Sequence, residues 1–323
     1  MWVFPTGLFG QRFSFVEDLR LTGDRSFPPS LFTDRSAVVF RDFEKIDIFH
    51  KGLFEASVDA IVYLEEDELL SGSEPTRAFA TWLSHRRVRN LIFISPLEGI
   101  EGMDADGEED LWSLSLVGFS GRSSLLSSSS PYWHAKGSLS TLFSTLQHEM
   151  YESGSRTENM LIPHHPEYFG DISIPRKKVS FLFPHNMRAS PLMVAAPVYA
   201  GRDLLNSPEP LSKSLEEKLQ KQQKELEETL ANHYPYPYKL ISYTGQDEEI
   251  LGEGYQHVLL HVRGNTPFLK RLFNLSVEEQ NKTDDLVYLF YVKHVLSKEV
   301  YLGDQWGVSD SLSVALQKFL GQE

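Results

Sequence analysis

The sequence predicts an α/β fold: a Rossmann-like or flavodoxin-like, mainly parallel sheet, followed by a smaller α+β module. Two apolar segments, 58–64 and 90–94, have the near-continuous hydrophobicity of strands that are covered on both faces. Between them, residues 75–87 carry apolar side chains at helical spacing. A strand, a helix and a second strand in this order predict a right-handed β-α-β unit, with 58–64 and 90–94 as neighbouring parallel strands.

The composition predicts two folded regions. The chain has 323 residues, of which 41% are hydrophobic, and this is enough apolar surface for a sizeable core. Two prolines within Ser207-Pro208-Glu209-Pro210 interrupt any regular element. We therefore place an α/β domain with irregular N-terminal decoration at 1–206 and an α+β module at 207–323.

The remaining elements of the first region follow from periodicity. Residues 37–40 form a strand, and Ser73-Glu74-Pro75 opens the crossover helix, because proline is well tolerated in a first turn. Apolar and serine residues alternate over 111–117, which indicates a strand covered on one face. A helix follows from Leu139 to Met150, and three further short strands are predicted at 159–163, 179–183 and 192–198.

The second region is predicted to have an α-β-β-β-α order. It opens with a leucine-striped helix at 211–232, which Pro235 and Pro237 end. The chain closes with a helix at 312–320. Between these helices the sequence predicts strands at 238–243, 255–262 and 286–292, with 299–302 pairing back across a turn.

Charge and cysteine content exclude several classes of function. The formal net charge of −14 repels phosphate backbones and anionic lipids, so we expect no nucleic-acid partner and no membrane partner. The chain has no cysteine, which excludes disulfides, thiolate nucleophiles, iron–sulfur ligation and cysteine zinc sites. The apolar N-terminus has no basic start of the kind that signal peptides carry, so we expect a cytoplasmic location.

The first candidate site is a ligand-binding loop at the edge of the sheet. Ligands of open α/β sheets bind beyond the carboxyl ends of the strands. If the predicted strands are parallel neighbours, segments 65–67, 95–96, 118–124 and 164–167 share that edge. The loop offers glycines, hydroxyls and one arginine for an anion, at Gly118, Ser120, Gly121, Arg122 and Ser123. It lacks the spacing of a phosphate-binding loop, so a serine-rich surface loop is the alternative.

The second candidate site is catalytic. His164, His165, Glu167 and Asp171 form the densest group of imidazoles and carboxylates in the sequence, which could supply a general base or hold a divalent ion. The alternative is a set of ordinary loop residues. No complete metal-binding motif accompanies the group, so we predict no metal site, and the sequence indicates no particular cofactor.

The third candidate is a protein-interaction surface. The leucines on one face of the helix at 211–232 are typical of a helix that docks in a groove or forms a coiled coil. They are Leu215, Leu219, Leu226 and Leu230. The stripe is short, which favours the alternative that this helix packs on the C-terminal sheet.

The sequence therefore leads to two hypotheses of function. The first is a non-enzymatic protein-interaction or assembly component, with a protein partner or as a homo-oligomer. It follows from the lack of a recognisable catalytic arrangement and from the striped helix. The alternative is an enzyme or a small-anion or nucleotide-binding protein that uses the edge of the N-terminal sheet.

Overall fold

The strands of the protein form two sheets, as the computed structural model shows. The structure describes residues 34–97, 111–122, 125–126, 132–152, 172–174, 178–181, 191–196, 213–241, 243, 247–276, 285–303 and 306–321. The predicted strand at 159–163 lies outside these residues. The α/β class is confirmed.

Within the described residues, the first sheet contains five strands. They are β1 (Ser36–Phe40), β2 (Ala60–Glu65), β3 (Asn90–Pro96), β4 (Trp112–Gly118) and β5 (Tyr132–Gly137). Their order in the sheet is β2-β1-β3-β4-β5. Strand β1 is parallel to both β2 and β3, whereas β4 is antiparallel to β3 and β5 is antiparallel to β4.

This order corrects one prediction. Strands β2 and β3 run in the same direction but are not neighbours, because β1 lies between them. All five residues of β1 are buried, whereas several residues of β2 are partly exposed. Strand β1 is buried on both faces and pairs along both edges, which is typical of an interior strand, and it therefore lies between β2 and β3.

Four helices accompany the first sheet within the described residues. They are α1 (Ile46–Glu55), α2 (Glu66–Leu69), α3 (Ser73–His85) and α4 (Leu139–Glu152). We call β1–β5 with α1–α4 the first unit. Helix α3 forms as predicted, whereas α1 was not predicted.

The second sheet is mixed and contains six strands in the part of the chain that the structure describes. They are β6 (Lys178–Ser180), β7 (Leu192–Ala195), β8 (Tyr238–Ile241), β9 (His257–Gly264), β10 (Val287–His294) and β11 (Glu299–Tyr301). Their order is β6-β11-β10-β9-β7-β8. Strand β7 is parallel to β8 and β9, β10 is antiparallel to β9 and β11, and β6 is parallel to β11.

Four described helices belong to the second sheet, and we call them with β6–β11 the second unit. They are α5 (Lys213–His233), α6 (Asp247–Gly252), α7 (Thr266–Leu272) and α8 (Leu312–Leu320). Helices α6 and α7 interrupt the predicted α-β-β-β-α order. The sheet also takes β6 and β7 from before residue 207, and the domain boundary at that residue stays a prediction.

The two units share one topology. This holds when β6, the edge strand of the second sheet, is left aside. The first strand, β1 or β7, lies between the second and the third and is parallel to both, the fourth strand is antiparallel to the third, and the fifth is antiparallel to the fourth. Helices α1 and α5 follow the first strands, α3 and α6 follow the second strands, and α4 and α8 follow the last strands. Corresponding helices of the two units can therefore be compared.

Three hydrophobic clusters show how the layers stack. The largest lies between the sheets and joins residues of β1 and α3 to residues of β9, α7 and β10. The second lies under α1 and α4 on the outer face of the first sheet. The third lies under α5 and α8 on the outer face of the second sheet. The result is a stack of helix, sheet, helix, sheet and helix layers.

Candidate functional site

The predicted shared edge of the first sheet does not form, because β4 is antiparallel. Gly118 pairs with Asn90 at the start of β3, while Trp112 pairs with Pro96 at its end. The loop after β4 therefore lies at the opposite end of the sheet from Glu65 and Ser95. The prediction that this strand is covered on one face is wrong, because all seven residues of β4 are buried, Ser113 and Ser115 included.

The described part of the predicted ligand loop makes a local turn. Gly121 has φ of +73°, in the left-handed region, and the Ser120 hydroxyl accepts a hydrogen bond from the Arg122 amide at 3.1 Å. Ser84 of α3 donates to the Gly121 carbonyl at 3.0 Å. Ser123 lies outside the described residues. A ligand-binding role for Gly118 and its neighbours stays a prediction. The shared sheet edge on which this prediction was based does not form.

The catalytic candidates cannot be placed. His164, His165, Glu167 and Asp171 lie outside the described residues, and their role stays a prediction. In the part of the chain that the structure describes, no group of three or more histidine, aspartate or glutamate residues is placed to hold a metal ion.

Ion pairs fill the carboxyl end of the first sheet. Arg41, directly after β1, binds Glu66 with two hydrogen bonds of 2.7 and 2.9 Å. Arg271 of α7 binds Glu68 at 2.8 Å and so joins the two units. Burial and the nearby Glu65 raise the pKa of Glu68 to about 7 in spite of Arg271. Charges that are paired in this way support a structural role.

A buried ionic cluster lies between the units. The Lys293 ammonium of β10 is 3.1 Å from a Glu74 oxygen and 2.9 Å from an Asp247 oxygen. The Tyr243 hydroxyl lies 2.8 Å from each of these carboxylates, and Lys298 also pairs with Asp247. Lys293, Glu74 and Tyr243 are at most 3% exposed.

The electrostatics of this cluster favour a charged Asp247 and a protonated Tyr243. Burial alone opposes ionisation of Asp247, but hydrogen bonds from Lys298 and Lys293 outweigh it and lower the pKa of Asp247. Burial and the two carboxylates raise the pKa of Tyr243 and keep its hydroxyl protonated. Glu74 and Asp247 lie in the first turns of α3 and α6, where negative charge is favourable. The cluster fastens the first unit to the second.

Two leucines of the predicted stripe on α5 belong to the core, and an interaction role for the stripe as a whole stays a prediction. Leu226 and Leu230 are fully buried and pack against the second sheet and α8. They cannot contact a partner while the core is intact. Leu219 is half-buried, and the side chain of Leu215 is outside the described residues. The sequence favoured this packing as the alternative.

An open groove lies on the outer face of the first unit, between α1 and α4. Its volume is about 700 Å³, within the size range of ligand pockets. Helix α1 forms one wall of the groove with the residues Ile48, Lys51, Gly52 and Glu55. Their spacing of three, one and three residues places them on one helix face. The opposite stripe comes from α4, at Leu139, Ser140, Phe143, Ser144 and Gln147.

The floor of the groove is aromatic. Trp112 at the start of β4 is 1% exposed and lies edge-on to Phe49 of α1, with 5.4 Å between ring centroids. The Lys45 ammonium lies 5.4 Å from the centre of the Trp112 ring, a cation–π distance. The groove therefore combines an apolar floor with a cation at one end.

Packing below the groove fixes the position of α1. Ile46, Phe49 and Leu53 point into the cluster under this helix. The His50 ring is 2.9 Å from the Tyr63 hydroxyl of β2, which adds a buried hydrogen bond between helix and sheet. The face of α1 that lines the groove is therefore held at a fixed height above the sheet.

Gly52 sets the width of the groove, because a Cβ at this position would lie 2.3 Å from the Phe143 ring. We expect Gly52→Ala to force α1 and α4 apart and to lower the free energy of unfolding by about 1–3 kcal/mol. Gly252→Ala in α6 is the matched control, since nothing lies within 4 Å of the added Cβ. The control should gain about 0.5–1 kcal/mol from helix propensity. Urea unfolding measures both, and equal effects would contradict the close packing.

A second cavity extends the groove along the same helices. It has a volume of about 270 Å³ and shares Glu55, Ser144 and Gln147 with the first cavity. Beyond them it reaches His148 and Tyr151 on α4. Because Gly52 faces Phe143 and Glu55 faces Gln147, α1 and α4 run in the same direction. The two cavities therefore follow one seam between parallel helices.

Helices α5 and α8 of the second unit also cover a buried cluster, which contains Leu226, Leu230, Leu316 and Phe319. In the first unit, Ile48 is 51% exposed and Tyr151 is 68% exposed beside the groove.

Comparison of the chain with family models, with curated proteins and with solved structures finds no match. Among the described residues, no helix has both the length and the hydrophobicity needed to cross a membrane.

The groove was not predicted from the sequence, because helix α1, which forms one of its walls, was not predicted. Ile46, Phe49 and Leu53 recur at spacings of three and four, which is the signal of an amphipathic helix. The partner helix α4 was predicted. Its contact with α1 joins segments about 90 residues apart, and only the sheet topology brings them together.

Proposed function

We propose that the chain is a non-enzymatic protein-interaction component that binds an elongated segment of a partner protein in the groove between α1 and α4. The observation that carries this proposal is the open groove of about 700 Å³ between α1 and α4, which has an aromatic floor and the exposed Ile48 side chain in its wall.

The shape of the groove favours an elongated ligand. The ten residues of α1 give the seam a length of about 15 Å at 1.5 Å per residue. Two cavities in line along this seam match a row of side chains better than one compact molecule. Helix-in-groove binding uses such rows of apolar anchors.

The alternative function has less support. An enzyme or anion-binding site at the edge of the first sheet relied on Arg122, His164 and Glu167 lying together. The antiparallel β4 removes Arg122 from the carboxyl end of the parallel strands, and the other two residues lie outside the described residues. A flavodoxin-like relationship keeps partial support from the strand order β2-β1-β3-β4-β5, with the difference that β4 and β5 are antiparallel. A cytoplasmic location stays a prediction.

Peptide binding to a variant whose groove is blocked by a large side chain tests the proposal. Random peptides displayed on phage are selected against the full chain, and the enriched peptides are synthesised and titrated. We expect Ser144→Arg, in the exposed wall shared by both cavities, to weaken their binding at least about tenfold, or 1.4 kcal/mol, because the new side chain occupies the groove.

Val314→Arg is the matched control, since Val314 is an exposed residue of α8, the helix equivalent to α4. It should leave the affinity unchanged, and both variants should keep the circular dichroism spectrum of the parent. Failure to enrich any peptide, or equal binding to the parent and to Ser144→Arg, rejects the groove as the interaction site.

A further inference from the structure

We infer that three exposed arginines, at the end of the first sheet where β1 and β3 begin, bind an acidic segment of a protein partner. We call Arg87, Arg89 and Arg122 the arginine patch. Their side chains are exposed, and among the residues that the structure describes they have no hydrogen bond and no ion pair. The three guanidinium groups are therefore available to a partner, on a surface separate from the lining of the groove.

Hydrogen bonds bring the three arginines to one surface. Arg87 lies just after α3, and its amide donates to the Ser84 carbonyl at 3.0 Å. The Ser84 hydroxyl donates, also at 3.0 Å, to the carbonyl of Gly121, the residue before Arg122. The Arg89 carbonyl accepts a hydrogen bond of 2.7 Å from the first amide after β4. The end of α3, the start of β3 and the loop after β4 therefore lie side by side.

The sequence around the patch has no carboxylate. The chain has 45 Asp and Glu residues, yet none lies in 75–97 or in 111–148, which contain the patch. Asp34 and Asp59 precede the neighbouring strands β1 and β2, and burial raises the pKa of Asp59 while the charge of Arg35 lowers it. Arg35 offsets these carboxylates and is not counted in the patch. At physiological salt, charges beyond about 8 Å are largely screened, so the patch is locally positive.

The chemistry of the patch favours protein carboxylates. Every Lys or Arg position in 75–97 is an arginine, and arginine binds carboxylates with two parallel hydrogen bonds and is enriched in protein interfaces. Grooves for single-stranded nucleic acid also need aromatic rings on which bases stack, but the Trp82 ring is covered by the Arg86 guanidinium at 5.0 Å. The net charge of −14 repels a long polyanion, whereas a short acidic segment meets only the patch.

The backbone of Arg87 supports a role for its side chain outside the fold. Its φ of +59° lies in the left-handed region, where glycine is favourable after a helix end. A non-glycine residue in this conformation costs stability, and such residues occur often at functional sites. Arg87→Gly therefore removes the charge without strain, and the melting temperature of this variant should be equal to that of the parent or higher.

An oligoglutamate peptide tests the inference. The labelled peptide is titrated against the full chain by fluorescence anisotropy at low salt. In the triple variant Arg87→Gly, Arg89→Gln, Arg122→Gln we expect binding to weaken at least about tenfold, or 1.4 kcal/mol, because three charged contacts are lost. The affinity of the parent should fall as salt is added.

A second triple variant is the matched control, with the same change in net charge. Lys51→Gln, Lys221→Gln, Lys224→Gln removes three exposed lysines, each of which pairs with a glutamate one helical turn away. It should leave the affinity for oligoglutamate within about twofold of the parent, because distant charges are screened. Both triple variants should keep the circular dichroism spectrum of the parent.

The outcomes are independent of those for the groove. Ser144→Arg, which blocks the groove, should still bind oligoglutamate as the parent does, and a loss of binding there overturns the inference. Absence of binding to the parent, or equal weakening in the two triple variants, also overturns it. A thymidine oligonucleotide of the same length that binds the parent more tightly than oligoglutamate would show that the partner is not an acidic protein segment.

Discussion

Replacement of Lys293 by methionine is expected to lower the free energy of unfolding by about 3–5 kcal/mol. The substitution removes the buried cation between Glu74 and Asp247 and leaves the Glu74 carboxylate without its counter-ion. Methionine has a similar length, so loss of packing is small compared with the electrostatic penalty. The loss is large relative to the total stability of a typical protein.

Urea unfolding followed by circular dichroism measures this effect. In the double variant Lys293→Met, Glu74→Gln, we expect a smaller loss than the sum of the two single losses, because the two residues interact directly. Lys298→Met is the control, since this lysine is 41% exposed and pairs with Asp247 at the margin of the cluster. A loss as small as that of the control would show that Lys293 does not hold the units together.

The second large effect is a loss of stability in mild acid that depends on His257. Burial, together with the charge of His294, lowers the pKa of His257 to about 4 from its usual 6.5. A base with a lowered pKa in the folded state is neutral in both states above pH 6.5, so full stability is present there. As the pH falls from 6.5 towards 4, the unfolded chain takes up the proton first and stability decreases. The loss from His257 is about 3 kcal/mol by pH 4.

Two other groups modify this dependence. Burial also lowers the pKa of His261 to about 4, so this residue adds to the loss of stability over the same pH range. The raised pKa of Glu68, about 7, has the opposite sign, because the folded state takes up this proton first and gains stability between pH 7 and pH 4.5. The net dependence is still a loss of stability in acid.

His257→Phe isolates the histidine by keeping a ring that does not titrate. Chemical unfolding at a series of pH values between 7 and 4 should give a slope that is smaller than in the parent by about 1.4 kcal/mol per pH unit below pH 6. The comparison uses slopes, so a general change in stability from the larger ring does not affect it. Parallel pH curves for parent and variant would contradict the burial of a neutral His257.

Much of the first unit could be predicted from local patterns. The segments that became β2, α3 and β3 were identified because buried strands and amphipathic helices differ in their apolar spacing. The position of β1 between β2 and β3 could not be read in this way, because strand order depends on long-range pairing. Local alternation in β4 predicted one covered face, but both faces of this strand are buried, because the serine side chains are covered as completely as the apolar ones.

The shared topology of the two units could not be predicted from the sequence, for a related reason. A shared topology constrains only which positions are apolar, and α1 has 10 residues where α5 has 21. Differences of that size remove any fixed period from the sequence.

The central claim is that the groove between α1 and α4 receives a partner segment. Hydrogen–deuterium exchange of the full chain with and without a saturating selected peptide tests it most directly. The account predicts slower exchange in Ile46–Glu55 and Leu139–Glu152 and unchanged exchange in Lys213–His233 and Leu312–Leu320. Protection of the second pair of helices alone, or no protection of the first pair by a bound peptide, would contradict it.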